Sequence, residues 1–590
     1  MRNLSEAISR SLLPRVRQPA QYIGLETNAR RADFDSAEVT VMLAWPDAYT
    51  IGISHLGSQV LYALAGDIDG VACDRTYCPL PDAETVMRTE GIPLFGWESR
   101  RAVADFDILG FSLAHEGCLT NVLTMLDLAG IPLRSADRSE GDPLVIAGNA
   151  IADSPEPMAP FIDLFCIGDG EEPLASLIEL VREGKVSGAG RDDIIARAGR
   201  TIPAVYVPRL YRPVCNDDGT LAALEPTLAD IPGRISRAHI VRMSDSPAVT
   251  APLVPLSEAV HDRVSIEIMR GCPHSCRFCQ AGATRKPVRW RSVDEILDIA
   301  RRAIDATGYR EISLLSLSTS DYPHFGELID RLNAEFVSRN ISISLPSLRV
   351  DSQLAVIPKL TSKVRKSGLT IAAEAGSERL RRAIRKNITD DAMLAGVRAA
   401  WQAGWRSVKV YFLAGLPGET DVDIDAIFNL CRRLSDTRKE VDGHRGNITA
   451  AVSWLVPRPH TPMQWSAMRD AEYFWYVRNR LRDLARRSPV QFKFHRIERS
   501  ILEAVIARGD RRVSDAIEAA WRNGARFDAW NEYFDYKKWQ DAFDQTGIDP
   551  AFYAHRERTV DELLPWDHID SGRSRETLQT ERRKMLEGLD

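Results

Sequence analysis

Residues 264–280 read VSIEIMRGCPHSCRFCQ, a short apolar stretch that runs directly into a cysteine-rich loop. The β-branched residues Val264, Ile266 and Ile268 alternate with polar positions, which predicts a β-strand. The pair Arg270-Gly271 ends that strand. The cysteines therefore follow a fixed strand end, where a parallel sheet usually places its ligands.

The loop carries Cys272, Cys276 and Cys279 in the pattern C-x3-C-x2-C. Three thiols on so short a loop cannot easily form disulfides with separate partners, but they can surround one inorganic centre. A four-iron cube would keep one iron without a protein ligand, whereas structural zinc would take a fourth ligand, for which His274 is available. Structural zinc sites usually present two separated ligand pairs, so the pattern favours an iron–sulfur cluster.

The pattern, with Phe278 directly before the last cysteine, resembles the signature of the radical S-adenosylmethionine (radical SAM) superfamily. The resemblance implies a 4Fe-4S cluster whose open iron binds the amino and carboxylate groups of S-adenosylmethionine (SAM). It also implies reductive cleavage of SAM to a 5′-deoxyadenosyl radical, which removes a hydrogen atom from an unactivated carbon. The electron would come from an external donor of the flavodoxin or ferredoxin type.

Composition is that of an ordinary globular protein with about three domains: 590 residues, 44% hydrophobic and 27% charged. There is no apolar run long enough to span a bilayer and no signal-peptide core at the start, so we expect a cytoplasmic protein. The net charge of −6 does not indicate a nucleic-acid partner. The remaining cysteines are expected to be reduced core thiols: Cys73, Cys78, Cys118, Cys166, Cys215 and Cys431.

The front of the chain, residues 1–200, alternates strand and helix patterns, which predicts a parallel Rossmann-like sheet. The predicted elements are strands at Val39–Ala44, Phe106–Ser112, Pro143–Ala147 and Leu164–Ile167, and helices at Leu56–Ala65, Cys118–Ala129 and from about Glu172. Ligands bind at the carboxyl ends of such strands. Three loops there are the candidates: Trp45 to Gly57, Ala147-Gly148-Asn149 and Gly168 to Glu172.

The same front segments, such as YTIGISHLGSQVLYAL and CIGDGEEP, resemble the cobalamin-binding-like domain of many radical SAM proteins. A domain that supplies cobalt with a lower ligand carries the motif Asp-x-His-x-x-Gly. In this chain His55 takes the His position, but Ile53 replaces the Asp and Ser58 replaces the Gly. His55 is therefore not assigned to cobalt and is expected to be a helix N-terminal or turn residue. Cobalamin bound without a protein ligand, or a fold that has lost the cofactor, both remain open.

Residues 201–260 are rich in proline and predict a short β excursion and a linker. The basic run TRKPVRWRS, residues 284–292, predicts a solvated face, with a role beside an anionic cofactor as the alternative. Ser292 and Glu295 predict a capping box for a helix at Val293–Thr307.

The β–α rhythm of residues 261–467 predicts a partial parallel barrel with its active site at the carboxyl ends of the strands. Beyond the first strand, the predicted strands are Glu311–Leu317, Ile341–Leu345, Leu369–Ala373 and Ser407–Leu413, and the helices are Phe325–Ser338, Asp390–Ala403 and Val422–Ser435. One strand end is Ser347-Leu348-Arg349. By resemblance to radical SAM enzymes, the cofactor-binding candidates, which would contact SAM, are Phe278, then Thr319, Ser320 and Asp321, then Glu374 and Ser377, then Gly415 and Leu416.

Residues 451–465 resemble the late barrel strand of methylthiotransferase-like radical SAM enzymes, with His460 as a catalytic or a structural residue. Residues 468–590 predict a mainly helical region. Its aromatic stretch WNEYFDYKKWQDAF is expected to pack against the barrel or to form a lid over it.

The resemblance covers most of the chain and implies an enzyme that cleaves SAM, with cobalamin-assisted methylation of an unactivated carbon if cobalamin binds. RNA methylthiolation is an alternative, although it normally uses a second cluster with three further front-domain cysteines. A non-catalytic sensor of cobalamin or oxygen is the other alternative.

Overall fold

The computed structural model describes residues 3–345 and 369–589. Its first layer is a six-stranded sheet of order β2-β1-β3-β4-β5-β6, parallel except for the last pair. The strands are β1 Val39–Trp45, β2 Val71–Tyr77, β3 Ile108–Ser112, β4 Leu144–Gly148, β5 Leu164–Cys166 and β6 Val205–Tyr206. The predicted parallel sheet is confirmed, and a hairpin follows it, formed by β7 Tyr211–Cys215 and β8 Leu221–Pro226.

Strand β2 was not predicted, because its sequence VACDRTY places two charges in the middle. Both charged side chains are buried. Asp74 accepts hydrogen bonds from the backbone N–H groups of Glu98 and Ser99 at 2.9 Å, and Arg75 pairs with the Glu98 carboxylate. Buried charges are tolerated when each is paired and hydrogen-bonded. The hydrophobic periodicity of the strand sequence does not reveal such pairing, because the partners lie elsewhere in the chain.

Helices cover both faces of the front sheet, which explains the nearly continuous apolar sequence of its central strands. The helices of this region are Ser5–Ala7, Tyr49–Gly52, Leu56–Gly66, Pro81–Glu90, Leu119–Ala129, Glu171–Ser187 and Arg191–Thr201. A short π-helical turn, Ile8–Leu12, continues the first of them.

The second part of the chain forms two further parallel sheets, of order β13-β12-β9 and β14-β15-β16-β17. Their strands are β9 Val264–Glu267, β12 Glu311–Leu315, β13 Ser342–Ser344, β14 Leu369–Glu374, β15 Ser407–Ala414, β16 Asn447–Trp454 and β17 Val490–Phe494, with a small ladder of β10 Met269–Arg270 and β11 Arg289–Trp290 beside the cysteine loop. The helices are Gln280–Thr284, Val293–Thr307, Phe325–Phe336, Glu378–Ala383, Asp390–Gln402 and Asp421–Asp442.

These strands and helices confirm the predicted β–α alternation, including the capping box of Ser292 and Glu295. The described residues form two parallel sheets and not one closed barrel. The predicted strand end Ser347-Leu348-Arg349 lies outside the described residues.

The C-terminal region is mainly helical, as predicted, and its aromatic side chains contact both the barrel sheets and the front domain. The helices of this region are Ala471–Ala485, Ile497–Ala507, Val513–Arg522, Tyr536–Thr546, Pro550–Ala554 and Arg575–Glu587. Phe474 packs on Trp454 of β16, with ring centroids 4.8 Å apart. The Trp530 indole donates to Asp47 at 2.8 Å, and the Trp521 indole donates to Thr124 at 3.1 Å. Helical periodicity predicts that a face is buried, but it does not say against which partner. Among the described residues, no helix combines the length and apolar character that crossing a bilayer requires.

The packing of the helix Val513–Arg522 can be tested at Ile517, which is fully buried. We expect Ile517→Ala to lower the free energy of unfolding by about 2–4 kcal/mol, because it leaves a cavity in the core beneath this helix. Urea denaturation followed by tryptophan fluorescence measures the change. Val186→Ala, at an exposed position, is the matched control and should have almost no effect. Equal stability of the two variants would contradict the packing described here.

Candidate functional site

The cysteine loop leaves β10 and returns through the helix Gln280–Thr284. Cys272, Cys276 and Cys279 are all half-buried and none forms a disulfide. Cys279 caps that helix, since its Sγ accepts the Gly282 N–H at 3.3 Å. Burial raises the pKa of the Cys279 thiol, and the negative charges of Cys272 and Glu374 raise it further. Three thiols on one loop, none of them in a disulfide and one of them accepting a backbone N–H, form a donor set that fits an iron–sulfur cluster.

Glu374 ends β14 and lies beside the cysteine loop, with a positive φ of 68°. Its carboxylate faces the Nζ of Lys386 at 3.7 Å. Burial raises the pKa of Glu374, and the Lys386 ammonium opposes that rise. A non-glycine residue in this backbone region is uncommon and often belongs to a functional site.

A cavity of about 410 Å³, which we call the inner cavity, opens on one side of the cysteine loop. Phe278, Cys279 and Glu374 line it, together with Ser453 to Val456 at the end of β16. The front domain contributes His115 and Glu116, and the helix Ile497–Ala507 contributes Glu503. All three parts of the chain therefore meet at this cavity.

Arg458 lies at the inner cavity and donates hydrogen bonds to both Glu116 and Glu503. Burial raises the pKa of Glu503, although the Arg458 charge opposes this. The Arg458 guanidinium thus lies between two carboxyl groups on this wall. The sequence did not indicate this network, because its members are 342 and 45 residues apart.

A second cavity, of about 670 Å³, which we call the front cavity, lies on the other side of the same loop. It runs across the carboxyl ends of the parallel strands β1, β3, β4 and β5. Met269, Arg270, Gly271, Ala281 and Arg285 form its wall on the cysteine-loop side. Residues from all three predicted ligand loops line this one cavity, among them Trp45, Asn149 and Asp169.

The front cavity is closed on one side by ion pairs between the front domain and the strand before the cysteines. Arg270 contacts Glu171 at 2.9 Å and Asp169 at 3.3 Å, and Arg289 contacts Asp169 at 2.6 Å. Burial alone would raise the pKa of Asp169, but Arg270 and Arg289 hold it below its usual value. The prediction of a solvated face for the basic run is therefore wrong at Arg289, which is buried.

Two protein-family models match this chain. The model described as "Radical SAM proteins, N-terminal" matches residues 57–208, and the model described as "Radical SAM superfamily" matches residues 266–431. The second match contains the three cysteines and the strands that surround them. The chain belongs to the radical SAM superfamily. Its cofactors are accordingly a 4Fe-4S cluster and SAM.

Three proteins to which this chain is similar are a protein of undescribed activity, a tRNA-modifying synthase and a methyltransferase of known structure. The uncharacterized protein MJ0966 of Methanocaldococcus jannaschii is 24% identical over 76% of this chain and 88% of its own. The tRNA-2-methylthio-N(6)-dimethylallyladenosine synthase of Herminiimonas arsenicoxydans is 27% identical over 42% of this chain and 51% of its own. The chain thus spans only about half the length of that synthase. A solved structure of the radical SAM methyltransferase TsrM from Kitasatospora setae covers 72% of this chain and 76% of its own, with a TM-score of 0.48 and 16% identity.

The predicted SAM-contacting residues of this radical SAM protein do not all meet at one cavity. Phe278 and Glu374 line the inner cavity with Cys279, whereas the other candidates line neither cavity. Asp321 accepts from the loop histidine His274, with 2.8 Å between Nε2 and Oδ2, so His274 has a carboxylate partner. Thr319 is fully buried and Ser320 lies beside it in a 3₁₀ turn.

The SAM-contacting candidates that come later in the chain, Ser377, Gly415 and Leu416, make contacts within the protein. Ser377 caps the helix Glu378–Ala383, where its Oγ accepts the Leu380 N–H at 3.3 Å. Leu416 is fully buried in a cluster that also contains Met585 and is flanked by Phe278. Gly415 has a φ of 93°, and its N–H donates to Glu419 at 2.7 Å.

Two further predictions concern His460 and the six cysteines outside the loop. His460 is buried, and its Nε2 lies 2.7 Å from the backbone carbonyl of Asp153, which is a structural contact. The expected core thiols are confirmed for Cys73, Cys78, Cys118, Cys166 and Cys431, which are all buried. The prediction is wrong for Cys215, which is exposed at the end of β7.

Glu419 gives a pH-dependent prediction. Burial raises its pKa to about 7, although hydrogen bonds from Tyr473 and Gly415 oppose this. The unfolded chain loses this proton near pH 4.5 and the folded chain near pH 7, so stability falls as the pH rises between those values. We expect Glu419→Gln to flatten the melting temperature between pH 5 and pH 7 relative to the wild type. Parallel profiles, measured by differential scanning calorimetry, would show that Glu419 does not titrate in this way.

Proposed function

We propose that this chain cleaves SAM reductively at a 4Fe-4S cluster held by Cys272, Cys276 and Cys279, and that it methylates an unactivated carbon with cobalamin bound in the front cavity. The proposal rests on the position of the cysteine loop, which forms part of the wall of both cavities. The same loop, residues 269–285, borders both the front cavity and the inner cavity. A cofactor in the front cavity and a substrate in the inner cavity would therefore both lie next to the cluster.

The donor set of the loop supports the first step. The cluster would supply the electron that breaks a carbon–sulfur bond of SAM. An external donor of the flavodoxin or ferredoxin type would then reduce the cluster again. The protein provides three cysteine ligands, so one iron is left for the amino and carboxylate groups of SAM. Phe278 packs against an apolar cluster on this side of the loop, and this packing would help to keep water away from the cluster.

The shape of the front cavity fits a broad, flat ligand such as a corrinoid. It crosses four adjacent parallel strands, which span about 14 Å at the usual strand spacing. Gly110 and Gly148 line it, and a Cβ at either position would meet only ordinary contacts, the nearest at 3.5 and 3.6 Å. A side chain at either position would not clash with a neighbouring atom. The lack of a side chain at Gly110 and Gly148 therefore enlarges the cavity.

The inner cavity is the proposed substrate site. Its volume of about 410 Å³ suits a small molecule or a single side chain or base, and Glu116, Glu503 and Arg458 supply polar contacts. The Lys386 ammonium positions the Glu374 carboxylate next to Cys279. These groups would orient the reacting carbon beside the cluster while the surrounding loops exclude water.

The cluster assignment predicts the effect of removing single thiols. Cys272→Ala, Cys276→Ala and Cys279→Ala should each abolish formation of 5′-deoxyadenosine from SAM, because the cube would lose a ligand. Anaerobically reconstituted protein, incubated with SAM and dithionite, is assayed by chromatography. Cys215→Ala is the matched control, since Cys215 is exposed and lies outside the loop, and it should keep full activity. If the wild type itself forms no 5′-deoxyadenosine, the sensor is favoured over the enzyme.

Iron content separates methylation from RNA methylthiolation, which the similarity to the tRNA methylthio synthase makes the competing function. We expect about four irons per reconstituted chain, because one loop supplies one cube. A second cluster would need cysteines of the front domain, and those four thiols are buried in its core. Iron and sulfide analysis with Mössbauer spectroscopy gives the count. About eight irons per chain would favour methylthiolation.

A further inference from the structure

His55 lies at the edge of the front cavity and is the N-cap residue of the helix Leu56–Gly66. Its Nδ1 accepts the backbone N–H of Ser58 at 3.1 Å, and the Ser58 hydroxyl lies 2.9 Å from the same nitrogen. A backbone N–H can only donate, so Nδ1 must offer its lone pair. This contact fixes which nitrogen of the ring carries the proton.

The ring is held in one orientation by its neighbours. It packs on the indole of Trp45, with ring centroids 4.2 Å apart and planes tilted by 34°. A Cβ at Gly57 would lie only 2.9 Å from the His55 Cε1, so the ring lies directly against this glycine. Burial lowers the pKa of His55 to about 4, which keeps the ring neutral at neutral pH.

A neutral imidazole with an accepting Nδ1 carries its proton on Nε2. No described residue forms a hydrogen bond with that Nε2. This N–H is therefore a donor without a partner among the described residues, on a side chain that lines the front cavity.

The same geometry disfavours His55 as a metal ligand. A metal-bound Nε2 would require the proton on Nδ1, where it would face the Ser58 N–H and break the helix cap. Metal-ligating histidines also normally donate their second N–H to an acceptor such as a carboxylate. The residue two positions before His55 is Ile53, whose side chain cannot accept that hydrogen bond.

We propose that His55 binds the ligand of the front cavity as a hydrogen-bond donor through Nε2, and does not ligate its metal. The inference rests on the proposed function, in which this ligand is a corrinoid, a class whose peripheral amide carbonyls are acceptors. Cobalt is then held without a nitrogen from His55, and Trp45 and the Ser58 cap keep the donor in place. This assigns a role to the histidine that the Asp-x-His-x-x-Gly comparison left unexplained.

Electron paramagnetic resonance of bound cob(II)alamin tests the metal part. Full-length protein is produced with ¹⁴N-histidine or with ¹⁵N-histidine and loaded anaerobically with the same unlabelled cob(II)alamin. We expect identical nitrogen splitting in the two spectra, because no protein nitrogen binds the cobalt. A splitting that changes with the label would overturn the inference while leaving cobalamin binding intact. This measurement uses the wild type, so it does not depend on the folding of any variant.

Binding of cob(II)alamin to two variants tests the donor. His55→Asn keeps a side-chain oxygen for the helix cap and an N–H donor, and should bind within about threefold of the wild type. His55→Phe keeps a ring on Trp45 but removes the donor, and should bind about three- to tenfold more weakly. Melting temperatures of both variants control for folding. Wild-type affinity in a folded His55→Phe protein would refute the donor role.

Failure of the wild type to bind any cobalamin would remove the corrinoid from the proposed function and this inference with it. The assay of 5′-deoxyadenosine would still decide the cluster proposal separately. The two failures are therefore distinguishable.

Discussion

The ion pairs of Arg270 and Arg289 with Asp169 and Glu171 are the constraint on which the arrangement of this molecule depends. They join the segment that follows β5 of the front sheet to the two short strands that flank the cysteine loop. All four side chains are largely excluded from water, and Ser246 donates a further hydrogen bond to Glu171 at 2.7 Å. Removing one partner from such a network leaves an unpaired buried charge, at a cost of about 3–5 kcal/mol. The network therefore allows one relative position of front domain and loop.

This position explains why the two cavities share a wall. The front sheet presents the carboxyl ends of its strands to the segment that carries the cysteines, and the loop then turns toward the ends of β14 and β16. Arg270 connects the two features directly, since it lines the front cavity and lies two residues before Cys272. The C-terminal helix Arg575–Glu587 holds the other side, since Glu581 accepts from Arg277 at 3.1 Å.

Much of this layout was predictable because parallel sheets impose it. Strand ends that are far apart in sequence meet at one edge, so the loops at Trp45, Gly148 and Asp169 could be predicted to lie together before their contacts were known. The cysteine loop was equally clear, because its ligands are local in sequence. Strand β2 was not predictable, because Asp74 and Arg75 have the sequence character of surface residues. Only the structure shows that Glu98 and Ser99 bind them in the interior.

The part of the site that sequence did not reveal consists of contacts over long separations. Arg289 resembles a solvated cation until Asp169, 120 residues away, is brought within 2.6 Å. Arg458 joins Glu116 and Glu503 in the same way, and nothing in the local pattern of any of the three marks the other two. His55 is an intermediate case: the departures at Ile53 and Ser58 showed that the usual ligand pattern was absent. Only the bond from the Ser58 N–H to Nδ1 shows what replaces it, because the state of an imidazole is fixed by the partner of its second nitrogen.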